Sequence, residues 1–259
     1  MARAADGALQ VVQAENIDQV LDQPSAIIEW STARGSRLGY FPALYRKVIL
    51  QVQRKISEGS FDDGDRMEHL EVLFANRYLK AFDQYLSGAD PSRTWDFAFQ
   101  VSAQWCPIVL QHLLLGMNAH INLDLGIAAA RTVTADSLPE LQEDFNRINQ
   151  VLTSLVGGVQ GELEEIWAPY RFLDRALGGV DSAIINFGME KARDQAWSVA
   201  LKLGALNQTD QERGITRLDA RVVHLARLVR HPGIIGSAAT RSIRLGERET
   251  IPNTIEILR

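Results

Sequence analysis

The stretch from Pro107 to Arg131 constrains this chain more than any other. Its apolar residues, among them Leu110, Leu114, Leu115, Met117, Ile121, Leu123, Leu125 and Ile127, go all the way round a helical wheel instead of forming one stripe. A helix that is apolar on every side is normally buried on every side. It is therefore expected at the centre of a bundle, with Pro107 well placed as its first residue. A spanning helix is not expected, because no run of about 20 apolar residues occurs and the mean hydropathy is −0.10.

Amphipathic stripes elsewhere supply the neighbours that such a helix needs. Phe41, Leu44, Val48, Val52 and Ile56 mark one helix, ended by Gly59. Met67, Leu70, Phe74, Tyr78, Ala81 and Tyr85 mark a second, running to about Leu86. A short helical piece covers Trp95 to Trp105. Another helix starts at Ser137 or Leu138, carries Leu141, Ile148, Val151, Leu152 and Leu155, and weakens at Gly157-Gly158 before a shorter piece over Glu162–Trp167. Pro169 and Gly178-Gly179 precede a long helix over about Asp181–Leu206, and a last helix runs from about Ile215 to Arg230. The expected fold is all-α: one multi-helix domain over 40–234, a wrap over 1–39 and an arm over 235–259. In the wrap, a short helix near Asn16–Leu21 gives way to an irregular stretch holding Pro24. In the arm, Ser242–Leu245 and Thr254–Leu258 alternate as a short edge strand would, and six apolar residues there are expected to pack on the bundle or on a second subunit.

Composition narrows the function classes. A chain of 259 residues with 46% hydrophobic and 23% charged side chains can hold its fold without cross-links, and its single cysteine, Cys106, allows neither an internal disulfide nor a Cys-based zinc site. A reducing, cytoplasmic setting fits, and MARAADGALQVVQAEN lacks the apolar core of a signal peptide. The net charge of −5 argues weakly against a nucleic-acid partner. Against that balance, Arg213, Arg217, Arg221, Arg227, Arg230, Arg241 and Arg244 face the single acid Asp219. They form either an anion-binding face or, more commonly, a solvated one. Asp62-Asp63-Gly64-Asp65 has a plain explanation as a helix start.

The candidate chemistry lies in polar residues at positions that should be apolar. Asn118, His120, Asn122 and Asp124 interrupt the central helix. At α-helical spacing His120 and Asp124 lie about 40° apart, close enough to be two ligands of one metal or an imidazole and the carboxylate that orients it. Glu71 falls in the arc of Met67, Tyr78 and Phe82, Asp144 in that of Leu141, Ile148 and Val151, and Arg193 among Ala196, Trp197 and Ala200. Two arrangements are open. In one, Arg193 and the carboxylates pair off inside the core and the polar groups merely satisfy each other. In the other, Glu71, His120, Asp124 and Asp144 line a polar pocket, with Asn118, Asn122, Arg193 and Trp197 around it as substrate contacts.

The segments Phe74-Ala75-Asn76-Arg77-Tyr78-Leu79, Gly116-Met117-Asn118-Ala119-His120-Ile121-Asn122-Leu123-Asp124-Leu125 and Ala192-Arg193-Asp194-Gln195-Ala196-Trp197 resemble signature stretches of a bacterial family, domain of unknown function 5995. The resemblance spans about residues 40–230 and implies a helical fold of this size, with no activity or cofactor attached. The His-x-x-x-Asp spacing of His120 and Asp124 is also similar to that of helical zinc-dependent phospholipase C enzymes and related nucleases. Those enzymes use several further histidines, which His69, His112, His224 and His231 do not supply on the same faces. One histidine among carboxylates suits Mg²⁺, Mn²⁺ or Fe²⁺ at least as well as Zn²⁺.

The expected function is an enzyme acting on a small organic molecule, with His120 and Asp124 as metal ligands or as base and orienter, Glu71 and Asp144 completing the site, and metal-assisted hydrolysis as the first reaction. A metal-independent cyclase or lyase and a noncatalytic binding protein are the alternatives. The expected partner is the small molecule, not a nucleic acid or a membrane; a homodimer is compatible with the apolar arm.

Overall fold

The computed structural model describes residues 9–167 and 181–259; Pro169 and Gly178-Gly179 lie outside them. Among the described residues no strand occurs. The helices are α1 (Ile17–Arg34), α2 (Tyr40–Ser57), α3 (Gly64–Ser87), α4 (Arg93–Ser102), α5 (Val109–Thr132), α6 (Leu138–Ile166), α7 (Asp181–Gly204), α8 (Gln208–Arg230), α9 (Gly233–Gly246) and α10 (Ile251–Leu258). Short polar side chains start several of them by accepting an otherwise unpaired N–H: Asn16 for α1, Asp63 for α3, Ser92 for α4, Asn207 for α8 and Thr250 for α10. Asp63 accounts for one acid of the Asp-rich run at 62–65.

Helix α5 is the axis of the bundle, touched by α2, α3, α4, α7 and α8. By length and composition it could cross a membrane, but 72% of its most apolar window is buried inside the protein. Two glycines let its neighbours approach. A Cβ on Gly116 would fall 2.4 Å from the Phe41 ring of α2, and one on Gly126 would fall 2.6 Å from the Ala196 carbonyl oxygen of α7. Any larger residue would push these walls apart. The middle of α5, Asn118–Leu125, is wound as a π-helix.

Three sequence expectations change. The stretch around Pro24 is helix, because Val20, Pro24, Ile27, Ile28 and Ser31 form one buried stripe whose packing on α2 and α3 outweighs the hydrogen bond that proline removes. Helix α6 continues through Gly157-Gly158 to Ile166, held at its far end by buried Leu163 and Ile166. The C-terminal arm is two helices, not a strand: Ile251, Ile255 and Leu258 recur at helical spacing, and the last two are buried where α10 packs on α1, α2 and α6. Leu245, by contrast, is 71% exposed.

Candidate functional site

Helices α2, α3, α5, α6 and α7 do not fill the space between them. They leave a cavity of about 130 Å³, comparable with apolar cavities that admit small organic molecules. Its walls are mostly aliphatic and aromatic: Phe41, Leu44, Val48 and Val52 from α2; Met67, Leu70 and Phe74 from α3; Leu110 to Leu125 along α5; Ile148 to Leu163 along α6. Tyr45, Glu71, His120, Gln160 and Arg193 are its polar lining.

Four of those five meet at one end. His120 is stacked on Phe74 with ring centroids 3.5 Å apart, and its centroid lies 4.4 Å from that of Tyr45 in an edge-to-face pair. Neither of its ring nitrogens has a hydrogen-bond partner. Burial, with a further push from Arg77, holds its pKa well below the ordinary imidazole value, so the ring is neutral. A neutral imidazole keeps one donor and one acceptor, each costing about 1–3 kcal/mol when buried and unused. Glu71 accepts the Tyr45 hydroxyl at 2.9 Å. Burial pushes its pKa up to about 7, against the opposing pulls of that hydrogen bond and of the Arg193 charge. Arg193 is 4% exposed; it donates Nη2 to the Phe145 carbonyl and lies 4.5 Å from the Phe145 ring centroid, while its Nε has no partner. Burial draws its pKa down to about 10, with Glu71 acting the other way. No ion pair joins Glu71 and Arg193, so the carboxylate bridge expected for Arg193 is not formed among the described residues.

The remaining sequence candidates are buried elsewhere. Asp124, wholly buried, accepts Arg77 Nε at 2.6 Å and Trp95 Nε1 at 2.7 Å, tying α5 to α3 and α4. It is not part of the cavity wall. Its pKa is nonetheless raised, because burial outweighs both partners. Asp144 accepts the backbone N–H of Asp62 and Asp63 and pairs with Arg66 and Arg147. Burial opposes its ionisation, yet those bonds hold its pKa below the usual carboxylate value and pin the start of α3 to α6. Asn118 donates to the Val222 carbonyl and accepts from Asn122, a pair that fixes α5 against α8. Trp197 packs on Phe145 at 5.0 Å. None of these five lines the cavity, unlike the expected site: Asp124, Asp144 and Asn118 bond to other helices, Asn122 bonds to Asn118 on its own helix, and the Trp197 ring packs in the core.

A family model described as a family of unknown function (DUF5995) matches residues 17–232. The chain belongs to that family. The family's span runs from α1 to α8, so every described wall of the cavity falls inside it, and α9 and α10 lie beyond. No curated protein and no solved structure matches the chain.

The metal reading of His120 and Asp124 meets a donor set that does not fit. The two side chains serve different partners, and among the described residues no group of three or more His, Cys, Asp or Glu is placed to hold an ion. The buried Arg193 charge beside His120 and Glu71 further disfavours a cation there. Sequence reasoning missed Tyr45, Arg77 and the length of the apolar lining. Arg77 had a signal: it lies three after Phe74 and four before Ala81, both buried, so a cation stands on the inner face. Of the arginines on 213–244, Arg213 pairs with Asp210 and Arg244 with Glu247, while Arg217, Arg221, Arg227 and Arg241 are exposed as a solvated face would be.

Proposed function

We propose that this protein binds a largely apolar small molecule in the cavity and acts on its polar end by metal-independent acid–base chemistry, with Glu71 transferring the proton. The observation that carries this reading is His120: an imidazole with two unused nitrogens, lining the same apolar cavity as the Glu71 carboxyl group. Buried imidazole nitrogens are normally bonded, and both nitrogens of this ring have hydrogen bonds left for a ligand. Glu71 supports the chemical part, since a carboxyl with a pKa of about 7 is both an effective acid and an effective base near neutrality. Cyclisation or elimination on an apolar substrate suits such a site better than metal-assisted hydrolysis, for which Asp124 is not at hand.

Binding is tested with the neutral fluorescent dye N-phenyl-1-naphthylamine. Wild type is expected to take up the dye, and Leu114→Trp, which fills the cavity from α5, to lose it. Catalysis is tested by extracting the purified protein and its Glu71→Gln variant and comparing retained molecules by mass spectrometry. The variant should hold an unreacted precursor that wild type converts. Conversion by Glu71→Gln at the wild-type rate would remove Glu71 from the chemistry, and the same unaltered molecule in wild type and variant would leave a noncatalytic binding protein.

A further inference from the structure

The outward face of α8 mixes cations with exposed leucines. At about 100° per residue, Arg217, Arg221, His224, Leu225 and Leu228 share one arc, opposite the buried stripe of Leu218, Val222, Val223 and Ala226. All five are exposed. Asp210, in the first turn, stands over the same arc and pairs with Arg213. After Glu212 the helix has a single acid, Asp219, and it is turned inward: its carboxylate accepts the backbone N–H of Arg93 at 2.8 Å and of Thr94 at 3.0 Å at the start of α4. The fold thus takes this negative charge off the surface and leaves the arginines on it, in a chain whose net charge is −5.

Water accounts for the exposed arginines but not for the leucines among them. Leu225 is 45% exposed and Leu228 54%, and their spacing of three puts them side by side, so they form a joined apolar patch. At the C-terminal end of the helix, Arg230 donates Nη2 to the Gln104 side-chain oxygen at 2.8 Å, and the next residue, Trp105, is 57% exposed. The Arg244 guanidinium of α9 lies 5.0 Å from the centroid of that indole. A nucleic acid would supply phosphates to this face but no apolar layer for its leucines. A second copy meeting through the same face would set arginine against arginine. A bilayer rich in anionic phospholipid supplies both needs: phosphates at the depth that guanidinium groups reach, and acyl chains just beneath for leucine, with an indole favoured at the boundary. The negative charge elsewhere on the chain does not prevent the contact, because salt screens exposed charges beyond about 8 Å.

We infer that α8 lies against the surface of a bilayer containing anionic phospholipid, with Arg217, Arg221 and Arg227 on headgroup phosphates and Leu225 and Leu228 in the outer acyl layer. The contact lies in the plane of the interface and spans nothing. It is independent of the cavity and of the function proposed for it.

The test sediments the full-length protein with sucrose-loaded vesicles of phosphatidylcholine alone and of phosphatidylcholine mixed equally with phosphatidylglycerol, at physiological and at high salt. Wild type should partition onto the anionic vesicles at least tenfold more strongly than onto the neutral ones, and high salt should weaken it. Arg217→Gln with Arg221→Gln should reduce that partitioning at least tenfold, and Leu225→Gln with Leu228→Gln at least fivefold at unchanged salt. All four side chains are exposed, so both variants should melt with wild type. Should either fail to fold, the lipid and salt series on wild type decides. Equal partitioning onto neutral and anionic vesicles would overturn the charge assignment, and no sedimentation with either would overturn the inference whole. A loss in the arginine variant with none in the leucine variant would overturn the seating of the leucines. Binding of a labelled DNA duplex without sedimentation on vesicles would give the face to a nucleic acid. A wild-type dimer that the leucine variant converts to a monomer would give it to a second copy, and either result overturns the membrane assignment.

Discussion

Replacing Glu71 with glutamine isolates the most unusual electrostatic feature of the fold. The carboxyl is 7% exposed, and burial lifts its pKa from 4.5 to about 7. Below the unfolded value the group is protonated in both states and contributes no pH dependence. Between the two values the unfolded chain releases its proton and the folded chain keeps it, so stability falls as pH rises, by about 1.4 kcal/mol per pH unit, and levels off above the folded value. Two and a half units amount to about 3 kcal/mol. Glutamine keeps the shape and still accepts the Tyr45 hydroxyl, but never ionises. The difference in unfolding free energy between Glu71→Gln and wild type is therefore expected to grow in favour of the variant by about 3 kcal/mol from pH 4 to pH 8, or about 6 °C or more in melting temperature for a chain of this size. Urea unfolding across that range measures it, and the difference curve is insensitive to any constant offset from the amide. A curve that is flat between pH 4.5 and 8 would refute the reasoning: it would mean that Glu71 ionises freely and that the cavity is not dry.

His120 acts on the acid side with the opposite sign. Its folded pKa is depressed, so the unfolded chain takes up a proton below about pH 6.5 that the folded ring refuses, and stability is lost as pH falls; His112, held down to about 3, behaves alike. His120→Phe should remove one proton from that limb, gaining about 1.4 kcal/mol on wild type per pH unit below 6.5 in urea titrations, and a parallel pair of curves would show that the ring is already charged. Asp124→Ala leaves Arg77 and the Trp95 indole N–H without their acceptor and should cost about 3–5 kcal/mol by thermal melting, whereas a loss under about 1 kcal/mol would mean that the carboxylate does not hold α3 and α4 to α5. At Gly158 and Gly161 on α6 a Cβ would meet open space, so the double change to alanine should raise the urea midpoint by about 1–2 kcal/mol equivalent; a fall would show that these turns are not helical.

How far the sequence could be read depended on which interactions settle a position. Burial is written in periodicity, so Glu71, His120, Asp124, Asp144 and Arg193 could be placed inside before any coordinates: each breaks an apolar arc. What a buried group touches depends on the opposite helix, and no spacing rule reaches across that gap. Asp144 turned towards the 62–65 run and became the acceptor for two backbone N–H groups, while Glu71, on an equally apolar arc, faced a cavity and a tyrosine. The cavity itself was illegible, since a void is the failure of side chains on several helices to meet. The arm at 242–258 was misread for a related reason: four- and five-residue windows such as Thr254-Ile255-Glu256-Ile257-Leu258 satisfy a period of two and a period of 3.6 alike, and only packing on α1, α2 and α6 decides.

His120 and Asp124 lie four residues apart in the π-helical middle of α5, Asn118–Leu125, yet do not work as one unit. In an α-helix a step of four residues leaves the second side chain about 40° past the first; at the π-helix's roughly 4.4 residues per turn it leaves it about 30° short. Either winding keeps the two on neighbouring faces, so what separates them is what stands opposite each. His120 lies against Tyr45 and Phe74, whose rings pack on it without taking a hydrogen bond, while Asp124 meets Arg77 of α3 and Trp95 of α4. Two strong donors from other helices engage the carboxylate before it can orient a ring on its own helix. The carboxylate thus binds the bundle together from its dry centre, and the imidazole, with no partner opposite, lines the cavity with both nitrogens unspent.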